Sequence, residues 1–134
     1  MTTELDHIRV RDAMHQGILS CSGEAPLEEV AGIMAKHRVH AVVVTSDEGS
    51  QPVGVVSDLD VVAAAVSGEE PSALRAAATE PVAVSADESL HRAGQLMSEH
   101  GVSHLVVLDA ANGHPIGILS TLDVAAVYAG ELEE

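Results

Sequence analysis

The sequence has almost no aromatic residues and a single cysteine. Tyr128 is its one aromatic side chain, so the interior must be built from Ala, Val, Leu, Ile and Met, which supply most of the 46% apolar content. Cys21 stands alone. It therefore has no partner for an internal disulfide and lacks the companions of a cysteine-based structural zinc site. Its expected role is that of a small buried hydrophobe.

Basic residues are also scarce. Six Lys and Arg residues face 21 Asp and Glu residues, which gives a formal charge of −15. A nucleic-acid duplex would meet net repulsion, so no DNA or RNA partner is expected. A free polyphosphate would need locally clustered cations, screening by salt or a bound divalent ion such as Mg²⁺.

Long apolar runs and an export signal are absent as well. No apolar stretch approaches the roughly 18 residues of a membrane-spanning helix. The first residues, Met1–Asp6, lack the basic-then-apolar order of a signal peptide. The sequence therefore predicts a soluble, cytoplasmic protein without a membrane partner.

What the chain does contain is an ungapped internal repeat with an offset of 63 residues. Leu27 matches Leu90, and the densest match joins Gly54–Val61 to Gly117–Val124. Solenoids need three or more stacked units, so two copies predict a closed pair with pseudo-twofold symmetry and a shared core. Any site formed by one copy should have a twin in the other.

Each copy is predicted to run strand, helix, strand, strand, helix, which makes the fold class α/β in the broad sense that includes α+β. The predicted segments are an N-terminal arm at 1–9, a first motif at 10–66, a linker at 67–72, a second motif at 73–130 and an acidic tail at 131–134.

The first copy is expected to have a strand at Ile18–Cys21, a helix opened by Pro26, strands at Ala41–Thr45 and Pro52–Val56 around a turn at Ser46–Gln51, and a helix from Ser57 to about Val66. The second copy is expected to follow a short helix at Ser72–Ala78 with a strand at Val82–Val84, a helix at Ser89–Glu99, strands at Leu105–Leu108 and Pro115–Leu119, and a helix after Ser120.

The pattern Gly-x-x-Ser-x-x-Asp occurs in both copies where a strand meets a helix, and it has two interpretations. Ser57 with Asp60, and Ser120 with Asp123, have the spacing of a helix capping box, which contributes about 0.5–2 kcal/mol to stability. The same helix N-terminus favours a phosphate, and a nearby carboxylate accepts hydrogen bonds from vicinal hydroxyls, as in a nucleotide. Glycine at the start of the pattern lets a ligand approach the backbone, which adds two candidate residues, Gly54 and Gly117.

The chain resembles a tandem pair of cystathionine-beta-synthase-type (CBS) domains, also called a Bateman module. Val10–Met14 resembles the opening of a CBS motif, Pro26–Val30 its first helix and Val39–Val44 the approach to its central strand. Gly54–Asp60 and Gly117–Asp123 fit the closing Gly-x-x-Ser/Thr-x-x-Asp pattern of the family. The resemblance extends over nearly everything from Val10 to about Tyr128.

The resemblance implies a regulatory module that binds an adenosine-containing ligand in a cleft between the motifs, with AMP, ADP or ATP favoured over S-adenosylmethionine or NAD. By resemblance, Asp60 and Asp123 would hold ribose hydroxyls and Ser57 and Ser120 would lie near ribose or phosphate. Family members often reach the phosphates with a His or Arg just before the central strand, and His40 and His104 occupy adjoining versions of that place. No obligatory cofactor is expected, although Mg²⁺ could accompany a bound nucleotide. The module is expected to form a homodimer and to act on an unknown protein partner.

No familiar catalytic motif is present, and a non-enzymatic role is expected. Two alternatives remain open beside nucleotide sensing. One is a dimerising scaffold that binds no ligand. The other is a metal sensor built on the histidines that flank two helix ends, His37, His40, His100 and His104.

Overall fold

The computed structural model describes residues 4–46, 51–77 and 81–130. The acidic tail, Ala78 and most of the predicted turn at 46–51 lie outside the described residues. Within the described ranges the chain forms seven helices and seven strands. In chain order they are α1 (Glu4–His7), α2 (Val10–Ala13), β1 (His15–Gln16), β2 (Ser20–Ser22), α3 (Leu27–His37), β3 (Ala41–Thr45), β4 (Pro52–Ser57), α4 (Asp58–Ser67), α5 (Ala73–Ala76), β5 (Ala83–Ser85), α6 (Leu90–His100), β6 (His104–Leu108), β7 (Pro115–Ser120) and α7 (Thr121–Tyr128).

The chain divides into two compact units whose boundaries differ from those of the sequence repeat. The continuous unit is Ile18–Pro81, and the split unit combines Met1–Gly17 with Val82–Glu134. Each unit has its own sheet and its own hydrophobic core. The first residues of the chain therefore pack with the second sequence copy.

The continuous unit is built on a three-stranded sheet in the order β2-β3-β4. β2 runs parallel to β3, and β4 runs antiparallel to it as the predicted hairpin. Val42, Val43 and Val44 are completely buried, as expected for an unbroken apolar strand. β2 begins two residues later than predicted, because its pairing register with β3 starts at Ser20 opposite Val43.

The split unit contains a four-stranded sheet in the order β1-β7-β6-β5. β6 and β7 form the second predicted hairpin, and β1 from the N-terminal segment adds an antiparallel edge to β7. The N-terminal segment is also part of the core, because Ile8 and Val10 are buried and the carbonyl of Ile8 accepts from the Leu90 N–H at 2.8 Å. Residues 1–9, expected to form a polar arm, thus include a core position.

Two arginines anchor the N-terminal segment to the split unit. Nη1 of Arg9 donates to the main-chain carbonyl of Asp87 at 3.1 Å, and Arg11 forms an ion pair with the carboxylate of the same residue. Two of the six Lys and Arg side chains therefore hold the N-terminal segment in place.

The described elements confirm a mixed α+β fold made of two similar strand-helix-strand-strand-helix motifs. None of the helices within residues 4–46, 51–77 and 81–130 is long and apolar enough to span a membrane.

Candidate functional site

The first candidate site lies where β4 passes into α4. The Ser57 N–H donates to Oδ2 of Asp60 at 2.8 Å, and the Ser57 hydroxyl donates to the same oxygen at 3.0 Å. In return, the Asp60 N–H donates to the Ser57 hydroxyl at 3.3 Å. The predicted capping box is therefore confirmed, and it is one reason why the helix begins at Asp58.

The second candidate site repeats this geometry between β7 and α7. Oδ2 of Asp123 accepts from the Ser120 N–H at 2.8 Å and from the Ser120 hydroxyl at 3.0 Å, and the Asp123 N–H donates back at 3.2 Å. The repeat in sequence is thus a repeat in atomic detail, and both capping boxes form.

Capping uses only one oxygen of each carboxylate. Oδ1 of Asp60 has no hydrogen-bond partner among the described residues, whereas Oδ1 of Asp123 lies 3.0 Å from Nε2 of His15. The serine hydroxyls have already committed their hydrogens to the aspartates. An acceptor for a further hydroxyl is therefore open at Asp60, while the matching acceptor at Asp123 is occupied by an imidazole.

The two glycines of the pattern are buried for reasons of protein packing. A Cβ at Gly117 would lie 2.5 Å from the carbonyl oxygen of His15 and 3.0 Å from Sδ of Met14. A Cβ at Gly54 would lie 3.0 Å from Cβ of Ala77. The space beside each glycine is occupied by a neighbouring segment of the same unit, so close approach of a ligand is not needed to explain either residue.

The two histidines predicted to reach a phosphate differ in their surroundings. Nδ1 of His40 lies 2.8 Å from Oδ2 of Asp58, and the ring is largely exposed. Nδ1 of His104 lies 3.0 Å from the hydroxyl of Ser103 at the start of β6. His40 therefore lies beside a carboxylate, which would repel an incoming phosphate. The second copy has no such carboxylate, because Thr121 stands at the position that matches Asp58.

The remaining metal-binding candidates do not assemble into a ligand set. His37 and His100 are the last residues of α3 and α6, where the helix dipole favours a cationic side chain. In the part of the chain that the structure describes, no group of three or more His, Cys, Asp or Glu side chains could hold a metal ion.

The single cysteine is buried in the core of the continuous unit, as predicted. Burial raises the pKa of the Cys21 thiol, and the carboxylate of Glu29 raises it further. A thiol in this environment is a poor nucleophile at neutral pH, which favours its packing role over any reactive one.

Each unit has open cavities along its helices. In the continuous unit, one cavity of about 710 Å³ lies between α3 and α4 and is bordered by Glu28, Glu29, Glu69 and Glu70. A second cavity of about 510 Å³ includes His40, Asp58 and Arg38. In the split unit, a cavity of about 430 Å³ lies between α6 and α7. Of the predicted ligand residues, His40 alone lines one of these three cavities.

Among the described residues, His15 contacts a predicted ligand-binding aspartate although the sequence did not indicate it. It belongs to β1, 108 positions before Asp123, and the residue that matches it in the repeat is Ala78. Contact with Asp123 depends on antiparallel pairing of β1 with β7, which places His15 opposite Ile118. No local spacing or periodicity signals such a long-range contact.

Comparison with known proteins gives concordant results. Among curated proteins, the chain is 27% identical over 124 residues to MK0525, an uncharacterized protein of Methanopyrus kandleri. This match covers 90% of this chain and 62% of the relative. The chain is 29% identical over 117 residues to homoserine O-acetyltransferase of Methanosphaerula palustris, spanning 87% of this chain and 23% of the transferase. The chain therefore covers only part of the length of the curated relatives that it matches.

Two solved structures match over nearly their whole length. The CBS domain protein PAE2072 from Pyrobaculum aerophilum, complexed with AMP, is 30% identical with a TM-score of 0.82, and the match covers 93% of this chain and 98% of that one. The CBS domain pair of protein MJ0100, in complex with 5′-methylthioadenosine and S-adenosyl-L-methionine, shares the fold with a TM-score of 0.80 at 18% identity, covering 92% and 97% of the two chains.

The family model for the CBS domain matches twice, at residues 10–67 and 74–130. These two matches cover most of the chain and agree with its internal repeat and with the two motifs of the fold. The chain belongs to the CBS domain family and carries the domain as a tandem pair.

Proposed function

We propose that this chain is a regulatory CBS pair that binds an adenosine-containing ligand, with AMP as the first candidate. The observation that carries the proposal is the similarity to PAE2072, which is complexed with AMP and matches 93% of this chain at 30% identity. The low-identity relationship to MJ0100 adds 5′-methylthioadenosine and S-adenosylmethionine to the ligands worth testing. Binding would shift a conformational equilibrium that a protein partner reads, without catalysis.

The ribose is assigned to the two capping carboxylates. Oδ1 of Asp60 can accept a hydroxyl hydrogen while Oδ2 maintains the helix cap. A carboxylate held in this way is oriented before the ligand arrives, so no side-chain ordering opposes binding. Asp60 and Asp123 would bind ribose hydroxyls, and Ser57 and Ser120 would lie near the ribose or the phosphate, at the positive ends of the dipoles of α4 and α7.

The ligand assignment is tested by thermal melts and calorimetry with AMP, ADP, ATP, S-adenosylmethionine and 5′-methylthioadenosine, with and without Mg²⁺. A ligand at about 100 times its Kd should add roughly 2.7 kcal/mol to the free energy of unfolding. At least one adenosine compound is expected to do so, and inosine monophosphate serves as the matched control for the base. Unchanged melting across the whole panel would contradict the proposal.

A second candidate function, a dimerising scaffold, is favoured by exposed apolar residues at matching positions of the repeat. Leu59 in α4 is 72% exposed and Leu122 in α7 is 69% exposed, and the two residues are 63 positions apart. The nearby exposed apolar side chains are Val62, Val66 and Tyr128. Large apolar residues repeated on two helices favour contact with a second copy, so a homodimer is proposed under either function.

Charge introduced at these leucines should dissociate the dimer. Burying one leucine contributes about 2 kcal/mol, so Leu59→Glu with Leu122→Glu is expected to raise the dimer Kd by well over tenfold. Sedimentation over a range of concentrations measures this change. Val53→Glu, at a partly exposed position on β4, is the matched control and should leave assembly intact. A dimer that survives the double substitution would exclude these helices as the interface.

A further inference from the structure

The two Ser-x-x-Asp junctions are nearly identical in their caps and differ in what contacts the second carboxylate oxygen of the aspartate. His15 places Nε2 at 3.0 Å from Oδ1 of Asp123, whereas Oδ1 of Asp60 has no partner among the described residues. The asymmetry begins in the sequence, because the residue that matches His15 in the repeat is Ala78, which has no hydrogen-bonding side chain.

The position of His15 is determined by the backbone of the split unit. β1 pairs with β7 through His15 opposite Ile118 and Gln16 opposite Gly117, and the Gly17 N–H donates to the Ile116 carbonyl at 2.9 Å. Gly117 allows this close approach, since any Cβ there would collide with the carbonyl oxygen of His15. Strand pairing therefore fixes the backbone of His15 beside β7, and the side-chain rotamer then brings Nε2 to Asp123.

The contact is made by the one oxygen of a nearly buried carboxylate that the helix cap does not use. The Asp123 side chain is only 10% exposed, and the two cap donors already occupy its Oδ2. His15 is 76% exposed, so its ring borders solvent and can rotate away without disturbing a packed core. A hydroxyl that is to bind Oδ1 of Asp123 competes with this ring for the same oxygen.

We propose that His15 makes the two ribose sites unequal, so that a ligand fills the Asp60 site first and the Asp123 site only after His15 is displaced. The inference rests on the proposed binding of an adenosine compound. His15 acts here as a residue that controls occupancy, because it competes with the ligand for one carboxylate oxygen. A hydrogen bond to a charged group is strong enough to separate the affinities of the two sites by about tenfold.

The test is to titrate AMP by calorimetry into the full chain and into His15→Ala. The unmodified chain should show two classes of site that differ by about tenfold, and the substitution should strengthen the weaker class until the two converge. His114→Ala, another exposed histidine of the split unit, is the matched control and should leave the two classes unchanged. A weaker class that is unchanged or further weakened by His15→Ala overturns the inference.

A second pair of variants isolates the Asp123 site. Asp60→Ala removes the stronger site, and adding His15→Ala to it should raise the remaining affinity for AMP about tenfold. If Asp60→Ala lowers folding yield, Asp60→Asn replaces it in both variants. Absence of AMP binding to any variant, the unmodified chain included, contradicts the proposed function itself. Binding of AMP with two equal sites in the unmodified chain contradicts only the role of His15.

Discussion

Replacing Asp60 with alanine is expected to weaken the binding of AMP at least tenfold. The carboxylate would accept charge-assisted hydrogen bonds from ribose, each worth about 1.5–3 kcal/mol, and alanine offers no acceptor in their place. A loss of 1.4 kcal/mol already corresponds to a factor of ten in Kd. Isothermal calorimetry on the folded variant measures the change directly.

The helix cap complicates this experiment, because Asp60 also accepts two hydrogen bonds from Ser57. Ser57→Ala is the matched control: it removes the serine hydroxyl from the cap and keeps the carboxylate. Both variants should lose about 1 kcal/mol of stability, which thermal melts will show. Only Asp60→Ala should lose affinity by the larger factor. Equal stability losses with unchanged affinity in Asp60→Ala and Asp123→Ala would show that the aspartates serve the helices alone.

The second large effect is expected from Gly117→Ala, which should destabilise the split unit by about 1–3 kcal/mol. The new methyl group would lie 2.5 Å from the main-chain oxygen of His15 and 3.0 Å from Sδ of Met14. A backbone atom cannot rotate aside as a side chain can, so β1 must shift and its pairing with β7 must weaken. Urea denaturation measures the resulting loss of stability.

The same substitution at Gly32 provides an internal comparison of opposite sign. Gly32 lies within α3, and apart from its chain neighbours and the backbone of α3, no heavy atom of the described residues would lie within 4 Å of a Cβ there. Gly32→Ala should therefore stabilise the continuous unit by about 0.5–1 kcal/mol through helix propensity. A Gly117→Ala variant that is as stable as the unmodified chain would mean that β1 does not occupy the space beside Gly117.

Local patterns predicted the elements of this protein well. The long apolar run from Ala41 became β3, and the two Ser-x-x-Asp sequences became capping boxes at the starts of α4 and α7. Such features depend on residues within a few positions of one another, so spacing alone carries the signal. The twofold repeat also made the second occurrence of each element predictable from the first.

Contacts between distant segments were not predictable in this way. Pairing of β1 with β7, burial of Ile8 and the approach of His15 to Asp123 all join the first 17 residues to the second sequence copy. A strand of two residues has no detectable periodicity, and a single sequence does not show which distant strand will accept it. The functional interpretation of Gly117 changed for this reason, because its neighbour proved to be a strand of the same unit.

Hydrophobic periodicity, helix-start chemistry and internal repetition were sufficient to define the two motifs, their capping aspartates and the buried Cys21, since each depends on short-range spacing or on polarity. Long-range strand pairing decided that the N-terminal segment packs against the second copy. It therefore also decided which aspartate keeps a carboxylate oxygen without a partner among the described residues. That choice arises from the packing of whole elements, where residues more than a hundred positions apart become neighbours.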